Sequence, residues 1–175
     1  ERVDRFIEWC EARHMSVVLN LHKAIGNYCD IQEPIQLLDS PELQERFVAL
    51  WVMLEKRYAA HPEVFFELLN EVRSVDPEQW NALAERTLRA IRTLNPTRRV
   101  IIGSICWNSP DCLKDLRVYG DENVIYTFHT YAPFEFTHQQ SVLQPGPLYY
   151  NRAMPYPTDD VERYRDYHRL VEGAQ

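Results

Sequence analysis

The stretch Val64-Phe65-Phe66-Glu67-Leu68-Leu69-Asn70-Glu71-Val72 begins as an apolar run of strand length and ends in an amide beside a carboxylate. Apolar runs rich in aromatic and β-branched residues are typical of strands that are buried on both faces of a sheet. Asn70 and Glu71 fall where the chain leaves such a strand, which is where α/β folds place catalytic side chains. The stretch therefore predicts a buried strand with a candidate functional carboxylate at its end.

The composition limits the class of protein. The chain has 175 residues, of which 45% are hydrophobic and 26% charged, as in a globular domain with a sizeable core. A formal net charge of −7 argues against a nucleic acid or an anionic membrane as partner, because nothing would neutralise the phosphate groups. We find no apolar run near the ~20 residues of a membrane-spanning helix and no signal-peptide pattern at the start of this chain.

The four cysteines do not form a metal-binding pattern. Cys10, Cys29, Cys106 and Cys112 include no C-x-x-C pair, so the sequence predicts no zinc site, and we expect no other cofactor. Cys106 and Cys112 are close enough in sequence to bridge a loop. The sequence leaves the disulfide state of all four open.

Three further segments have the composition of strands, and polar or aromatic side chains follow each of them. These segments are 16–21, followed by His22; 100–103, followed by Trp107 and Asn108; and 123–128, followed by His129 and Tyr131.

Amphipathic helical patterns precede, separate and follow the strands. They run over 2–14, from Asp39 to His61-Pro62, from Asp76 to Asn95-Pro96 and, after a long loop over 134–157, from Asp159 or Asp160 onward. Asp39 and Glu42 have the spacing of a capping box, and Asp76 starts the next helix in the same way. The helical spacing of Trp9, Trp51 and Trp80 predicts that these three residues pack in the core.

This order, one helix and then four strand–helix pairs, predicts a parallel sheet with helices packed outside it. Because connections in such sheets are right-handed, all four strand ends lie at one edge. Site-type residues at four strand ends on one edge are the pattern of the active face of an α/β barrel. The fold class is therefore α/β, with the chain forming part of a (β/α)8 TIM barrel.

The side chains at these strand ends suit a neutral, polyhydroxylated ligand. Indole and phenol faces stack on the C–H surfaces of sugars, while amide, imidazole and carboxylate groups bond to hydroxyls. Glu71 at the end of an apolar strand is suited to general acid catalysis.

Two other chemistries have less support. Metal-assisted hydrolysis would use His22, Glu71 and His129, but these residues lack a paired spacing such as H-E-x-x-H. Serine or cysteine nucleophiles are weaker still, since there is no G-x-S-x-G motif and no cysteine in an evident basic setting.

Three motifs together resemble one known family. The stretch 65–71 closely resembles the acid/base strand of glycoside hydrolase family five, the cellulase family of the (β/α)8 clan. Residues 128–139 look like the sixth-strand motif of its bacterial members, and Val18-Leu19-Asn20-Leu21-His22 with Ala24-Ile25-Gly26 is similar to its third strand and loop. The motifs occur in the family's order and span nearly the whole chain.

The resemblance implies a retaining β-glycoside hydrolase, with an endo-β-1,4-glucanase as the expected activity and a β-linked polysaccharide or oligosaccharide as substrate. Glu71 would be the catalytic acid/base, and Asn70 would bond to the 2-hydroxyl at the cleavage subsite. His129 would contact the sugar or the acid, and Tyr131 would orient the nucleophile.

His22 and Trp107 would bind substrate, the latter as a platform. Two departures from the family pattern occur. Val72 stands where the family usually has Pro, and Gln140 stands where Gly is common.

The larger departure is length, because a (β/α)8 barrel takes ~250 residues. By the resemblance, residues 1–175 form a single partial catalytic domain with about strands 3–6. The family's nucleophile comes from the seventh strand, and within this chain Glu67 and Glu135 are poor substitutes. Glu67 lies inside a strand at the wrong depth, and Glu135 lies in the loop after the fourth strand.

Two hypotheses follow. The first is a central piece of a cellulase-like enzyme, inactive alone because it lacks the nucleophile. The second is a non-catalytic half-barrel that binds oligosaccharide or serves as part of an assembly. In either case four strands leave two open sheet edges, which predict self-association. The substrate class, rather than any signal in the chain, predicts an extracellular or periplasmic location.

Overall fold

The computed structural model describes residues 1–27, 35–74, 76–138, 141–142, 149–150, 153–156 and 158. Glu1–His129 form one compact unit and Thr130–Gln175 a second. The helix predicted from Asp159 or Asp160 lies outside the described residues, as do 139–140, 143–148, 151–152 and 157 of the predicted loop before it.

The first unit contains a four-stranded sheet whose strands are all parallel and follow one another in chain order. Val17 pairs with Val64, Phe66 with Val100, and Val100 with Val124. The strands are β1 (Val17–Asn20), β2 (Val64–Glu67), β3 (Val100–Gly103) and β4 (Val124–Thr127). The predicted parallel sheet is confirmed, with strands slightly shorter than the apolar runs.

Of three long helices, the first precedes the sheet and the other two connect its strands, as the sequence predicted. A 3-10 helix connects the third strand to the fourth. These helices are α1 (Arg2–Glu11), α2 (Pro41–Tyr58), α3 (Pro77–Leu94) and the 3-10 helix Pro110–Asp115. In the second unit, a helical turn covers Phe134–Thr137, and Ser141–Val142 pairs antiparallel with Tyr149–Tyr150. Among the described residues, no helix is both long and apolar enough to span a membrane.

The first residues of α2 and α3 show that the sequence signals for the start of a helix are local. Asp76 caps α3 as predicted, with its carboxylate accepting from the backbone N–H of Glu78 at 2.9 Å. At α2 the predicted cap is wrong by one residue. Ser40 is extended and its hydroxyl accepts from Leu43 N–H, while Asp39 accepts from the side chain of Gln79.

Aromatic side chains join the helices to the sheet. Trp51 of α2 packs on Phe66 of β2 with ring centroids 5.1 Å apart. Trp80 of α3 donates its indole N–H to the carbonyl of Gly103 at 2.8 Å, which fixes the helix over the end of β3. Trp9 is exposed, contrary to the sequence prediction, because α1 presents only Ile7 and Cys10 to the core.

A buried ion pair joins α2 to the end of the sheet where the strands begin. Arg98, just before β3, donates to both carboxylate oxygens of Glu55 on α2, at 2.7 and 3.2 Å, and both side chains are fully buried. The guanidinium also donates to the carbonyls of Tyr58, His61 and Val64. Because every donor direction is used, this charge is well compensated despite its burial.

We predict that Arg98→Met lowers the free energy of unfolding by about 3–5 kcal/mol, because Glu55 is left as a buried, uncompensated charge. Urea unfolding at low protein concentration measures the effect. Arg46→Met is the control, since the exposed Arg46–Glu42 pair contributes about 0–1 kcal/mol. A loss below about 1 kcal/mol for Arg98→Met would contradict the assignment of this pair as a structural anchor.

Candidate active site

The four strands end at one edge of the sheet, and the loops that follow them carry the predicted site residues of the first unit. His22 lies two residues after β1, and Asn70 and Glu71 lie just beyond β2. Trp107 lies four residues after β3, and His129 lies two residues after β4. The predicted gathering of these residues at one edge is confirmed by the parallel pairing.

Glu71 and His129 are in direct contact. The Nδ1 atom of His129 lies 3.0 Å from Oε1 of Glu71, across 58 residues of sequence, and both side chains are partly buried. Glu71 retains 19% side-chain exposure, enough for contact with a ligand. The site thus pairs a carboxyl group with an imidazole.

The backbone of Glu71 is left-handed, with φ of 47°. For a residue other than glycine this conformation costs roughly 1–2 kcal/mol, because the Cβ atom crowds the following carbonyl. Such strain persists only when surrounding contacts hold it. Asn70, largely buried, donates its N–H to the carbonyl of Leu21 at 3.0 Å and so continues the β1–β2 pairing up to the acid.

The loop after β3 also has an unusual backbone. Cys106, Trp107 and Asn108 all have φ between 56° and 59°. Asn108 is fully buried, and among the described residues its amide nitrogen and oxygen have no hydrogen-bond partner. The amide instead lies against Gly103, where an added Cβ would be 2.5 Å from it.

Hydrogen bonds join each loop at this edge to the next. Asn27, in the loop after β1, bonds through its side chain to Arg73 beyond Glu71. Trp107 N–H donates to the carbonyl of Val72 at 3.1 Å, and His129 N–H donates to the carbonyl of Asn108 at 2.8 Å. These bonds continue the strand order of the sheet into its loops.

The two predicted substrate-binding residues are accessible. His22 is exposed, and the Trp107 side chain keeps 43% of its surface open while the Arg73 guanidinium lies 6.0 Å from its ring centroid. Their placement at the edge is compatible with ligand contact. Their roles remain predictions, as do those of Glu71, Asn70, His129 and Tyr131.

Cys112, which follows β3, is not a reactive thiolate in this setting. The hydrogen bond with the Cys106 thiol, together with burial, raises the pKa of the Cys112 thiol to about 11. A thiol that is protonated at neutral pH is a poor nucleophile. Among the described residues, no group of three or more His, Cys, Asp or Glu side chains is arranged to hold a metal ion.

Tyr131 belongs to the second unit, where its exposed ring meets that of His138 edge to face at 5.3 Å. Its carbonyl accepts from the hydroxyl of Thr137 at 2.5 Å. The side chain of Glu135, the alternative second carboxylate, lies outside what the structure describes.

No sequence signal singled out Asn27, and none assigned a role to Asn108. Asn27 is buried and begins a loop of mixed polarity, directly after the Ala24-Ile25-Gly26 part of the third-strand motif. Its one signal is the residue type, since asparagine can bridge backbone groups through its side chain. Asn108 carries a comparable signal, because asparagine tolerates the left-handed region better than most residues.

Comparisons with known proteins bear on this geometry. The family model for cellulase, glycosyl hydrolase family 5, matches residues 1–171. Endoglucanase C of Acetivibrio thermocellus is 40% identical over 156 residues, which are 89% of this chain and 46% of that protein. Cellodextrinase A of Ruminococcus flavefaciens is 35% identical over 147 residues, which are 82% of this chain and 44% of that protein.

Solved structures agree. Cel5A of Thermotoga maritima, in complex with cellobiose, matches with a TM-score of 0.73 at 33% identity, covering 98% of this chain and 54% of that one. This chain spans about half the length of the relatives it matches. With the parallel sheet, the match confirms the prediction of a partial (β/α)8 barrel. The chain belongs to the cellulase family, glycosyl hydrolase family 5.

Proposed function

We propose that this chain supplies the acid/base half of a retaining β-glycoside hydrolase, with endo-β-1,4-glucanase as the activity of the complete site. The observation that carries the proposal is the contact between Glu71 and His129, beside Asn70, at the carboxyl edge of the sheet. Membership of the cellulase family supports it, as do relatives named endoglucanase.

The Glu71–His129 contact suits a group that gives up and regains a proton. A contact of 3.0 Å between Nδ1 and Oε1 requires one proton between the two atoms. With that proton on Nδ1, the imidazole donates to Oε1, and Oε2 is left to carry the proton that is transferred to the glycosidic oxygen. The partial burial of both side chains limits competition from water.

The remaining roles follow the family resemblance. Asn70 bonds to the 2-hydroxyl of the sugar at the cleavage subsite, and Tyr131 orients the nucleophile. His22 contacts the sugar, and the exposed face of Trp107 serves as a stacking platform for it.

The second carboxylate comes from outside residues 1–175, as the seventh strand supplies it in the family pattern. Retaining enzymes need that group ~5–5.5 Å from the acid, where it attacks the anomeric carbon. Glu71 first protonates the leaving oxygen and then acts as base for the water that releases the glycosyl-enzyme. In this proposal, residues 1–175 are part of one barrel domain. Its β-linked polymeric substrate argues for a location outside the cytoplasm.

We predict that the 175-residue chain alone does not hydrolyse cello-oligosaccharides, because it lacks the nucleophile. Reducing-end assays with cellotetraose and carboxymethylcellulose measure this. Turnover that is lost in Glu71→Gln would contradict the prediction and identify a carboxylate within the chain, such as Glu135, as the nucleophile. If the chain binds cellotetraose without turnover, and a barrel completed with the missing strands also stays inactive, the non-catalytic half-barrel would be favoured.

We predict that a complete barrel restores hydrolysis. The barrel joins this chain to those parts of Acetivibrio thermocellus Endoglucanase C that lie beyond the aligned residues. In it, Glu71→Gln should lower kcat by about 10²–10⁴-fold on substrates with poor leaving groups, since general acid catalysis contributes about that factor. With an activated aryl leaving group, which needs no protonation, kcat/KM should fall much less, because only the later hydrolysis of the glycosyl-enzyme still needs Glu71 as base.

The matched control for that experiment is Glu67→Gln, four residues earlier and within β2. We expect it to leave the leaving-group dependence unchanged. A loss below about tenfold for Glu71→Gln on poor leaving groups would contradict the assignment of Glu71 as the acid.

The structure also supports self-association of the 175-residue chain. Among the described strands, β1 and β4 each pair on one side only. Val18 on β1 and Ile125 on β4 are exposed apolar residues at these edges, and α1 adds Phe6 and Trp9. Unpaired backbone groups beside exposed apolar side chains are a template for pairing with a second copy.

We predict that the chain forms dimers or larger species whose proportion rises with concentration, as measured by light scattering after size exclusion. Val18→Lys should shift the chain toward monomer, because a charge at the edge strand disfavours pairing. Met53→Lys, at an exposed position on α2, is the control and should not. A monomer at all concentrations with cooperative melting would contradict the prediction.

A further inference from the structure

Within the part of the chain that the structure describes, two segments bond to the chain directly beyond Glu71. Val72 accepts a hydrogen bond from Trp107 N–H, and Arg73 is bound by the side chain of Asn27. Glu71 itself is left-handed, a conformation that persists only where surrounding contacts hold it.

The Asn27 side chain binds both backbone groups of Arg73. Its Nδ2 donates to the Arg73 carbonyl at 3.1 Å, and its Oδ1 accepts from the Arg73 N–H at 3.5 Å. A side-chain amide has the donor and acceptor of a peptide unit, so Asn27 acts as one extra residue of a neighbouring strand.

The clamp is itself rigid. Asn27 is only 2% exposed, so water does not compete for its bonds. Its backbone closes a turn with Ala24 through two hydrogen bonds, at 3.0 and 3.3 Å, and so fixes the side chain relative to β1.

We propose that Asn27 is a positioning residue for the acid/base: by clamping Arg73, it holds Glu71 left-handed and its carboxylate against His129. The inference rests on the proposed function for its catalytic meaning, but the conformational claim stands independently of any activity. In this role Asn27 contacts neither the Glu71 carboxylate nor the His129 imidazole. It acts on Glu71 through the backbone that joins Arg73 to Glu71.

The chain contains a matched control. Asn81 on α3 is also 2% exposed, and its side chain likewise binds two backbone groups, the Asp115 carbonyl at 2.9 Å and the Arg117 N–H at 3.0 Å. Asn81→Ala therefore removes the same kind of bridge at the same burial without touching the segment after Glu71.

The test is NMR on the 175-residue chain carrying Val18→Lys, which disfavours pairing at the β1 edge, with selective labelling at glutamate and histidine. A left-handed residue has a short distance between its amide and α protons and hence a strong intraresidue NOE. In Asn27→Ala we expect this NOE of Glu71 to fall to the level of its neighbours. The His129 imidazole signals should move toward those of Glu71→Gln. Asn27→Asp, which keeps the acceptor for Arg73 N–H and the volume, should show a smaller change of the same kind.

Asn81→Ala should leave both signatures unchanged even where it lowers the melting temperature. If Asn27→Ala does not fold, Asn27→Asp decides the question alone. The proposal is overturned if both Asn27 variants keep the left-handed signature, or if Asn81→Ala changes it equally.

A second measurement separates this proposal from the proposed function. In the completed barrel, Asn27→Ala should lower kcat by about 10²-fold, the cost of a misplaced catalytic group, with little change in KM. Asn81→Ala should not. If Glu71→Gln leaves the barrel fully active, the proposed function fails while the NMR result on Asn27 still stands. If Asn27→Ala leaves the kcat of the completed barrel unchanged while Glu71→Gln inactivates it, only the positioning role of Asn27 is overturned.

Discussion

The parallel pairing of the four neighbouring strands, from β1 through β4, is the constraint on which the rest of this structure depends. Parallel strands all end at the same edge, so residues that are 58 positions apart, Glu71 and His129, meet without any long excursion of the chain. Parallel strands require crossover connections, and α2 and α3 supply two of them. The chemistry at one edge is thus a direct result of the strand direction.

Different kinds of interaction occur at the two ends of the sheet. Where the strands begin, Arg98 and Glu55 form a fully buried and fully bonded charge pair that joins two helices to the sheet. Where the strands end, backbone and side-chain bonds join each loop to the next, and one of these bonds uses the carbonyl of Asn108. In α/β barrels, residues at the N-terminal ends of the strands usually contribute to stability, and residues at the C-terminal ends usually form the active site.

Much of this could be predicted from the sequence, because the signals are local. The apolar run at Val64 indicated a buried strand, and Asp76 with Pro77 fixed a helix start. The cap of α2 was wrong by one residue, since Pro41 limits where the helix begins but both Asp39 and Ser40 are suitable caps. The exposure of Trp9 could not be predicted, because spacing alone does not show which helix face has a partner.

The site could be predicted only in outline. The edge that gathers Glu71 and His129 followed from topology, and the family resemblance gave His129 two alternative partners, the sugar or the acid. The structure places its Nδ1 against the carboxylate of Glu71, a contact that depends on the conformations of two loops. The clamp between Asn27 and Arg73 joins residues 46 positions apart, and nothing in the local sequence of either indicates the other. The same holds for Gly103 and Asn108, whose close packing depends on three consecutive left-handed residues.

The left-handed backbone of Glu71 has a consequence for engineering and for drift. Glycine would relieve the strain there at no steric cost, so a search for thermostability alone would favour replacing this residue. That replacement removes the proposed acid. In a copy of this fold whose proposed acid is no longer under selection, glycine at position 71 would therefore relieve the backbone strain. A glutamate retained there would indicate that the carboxylate is still required.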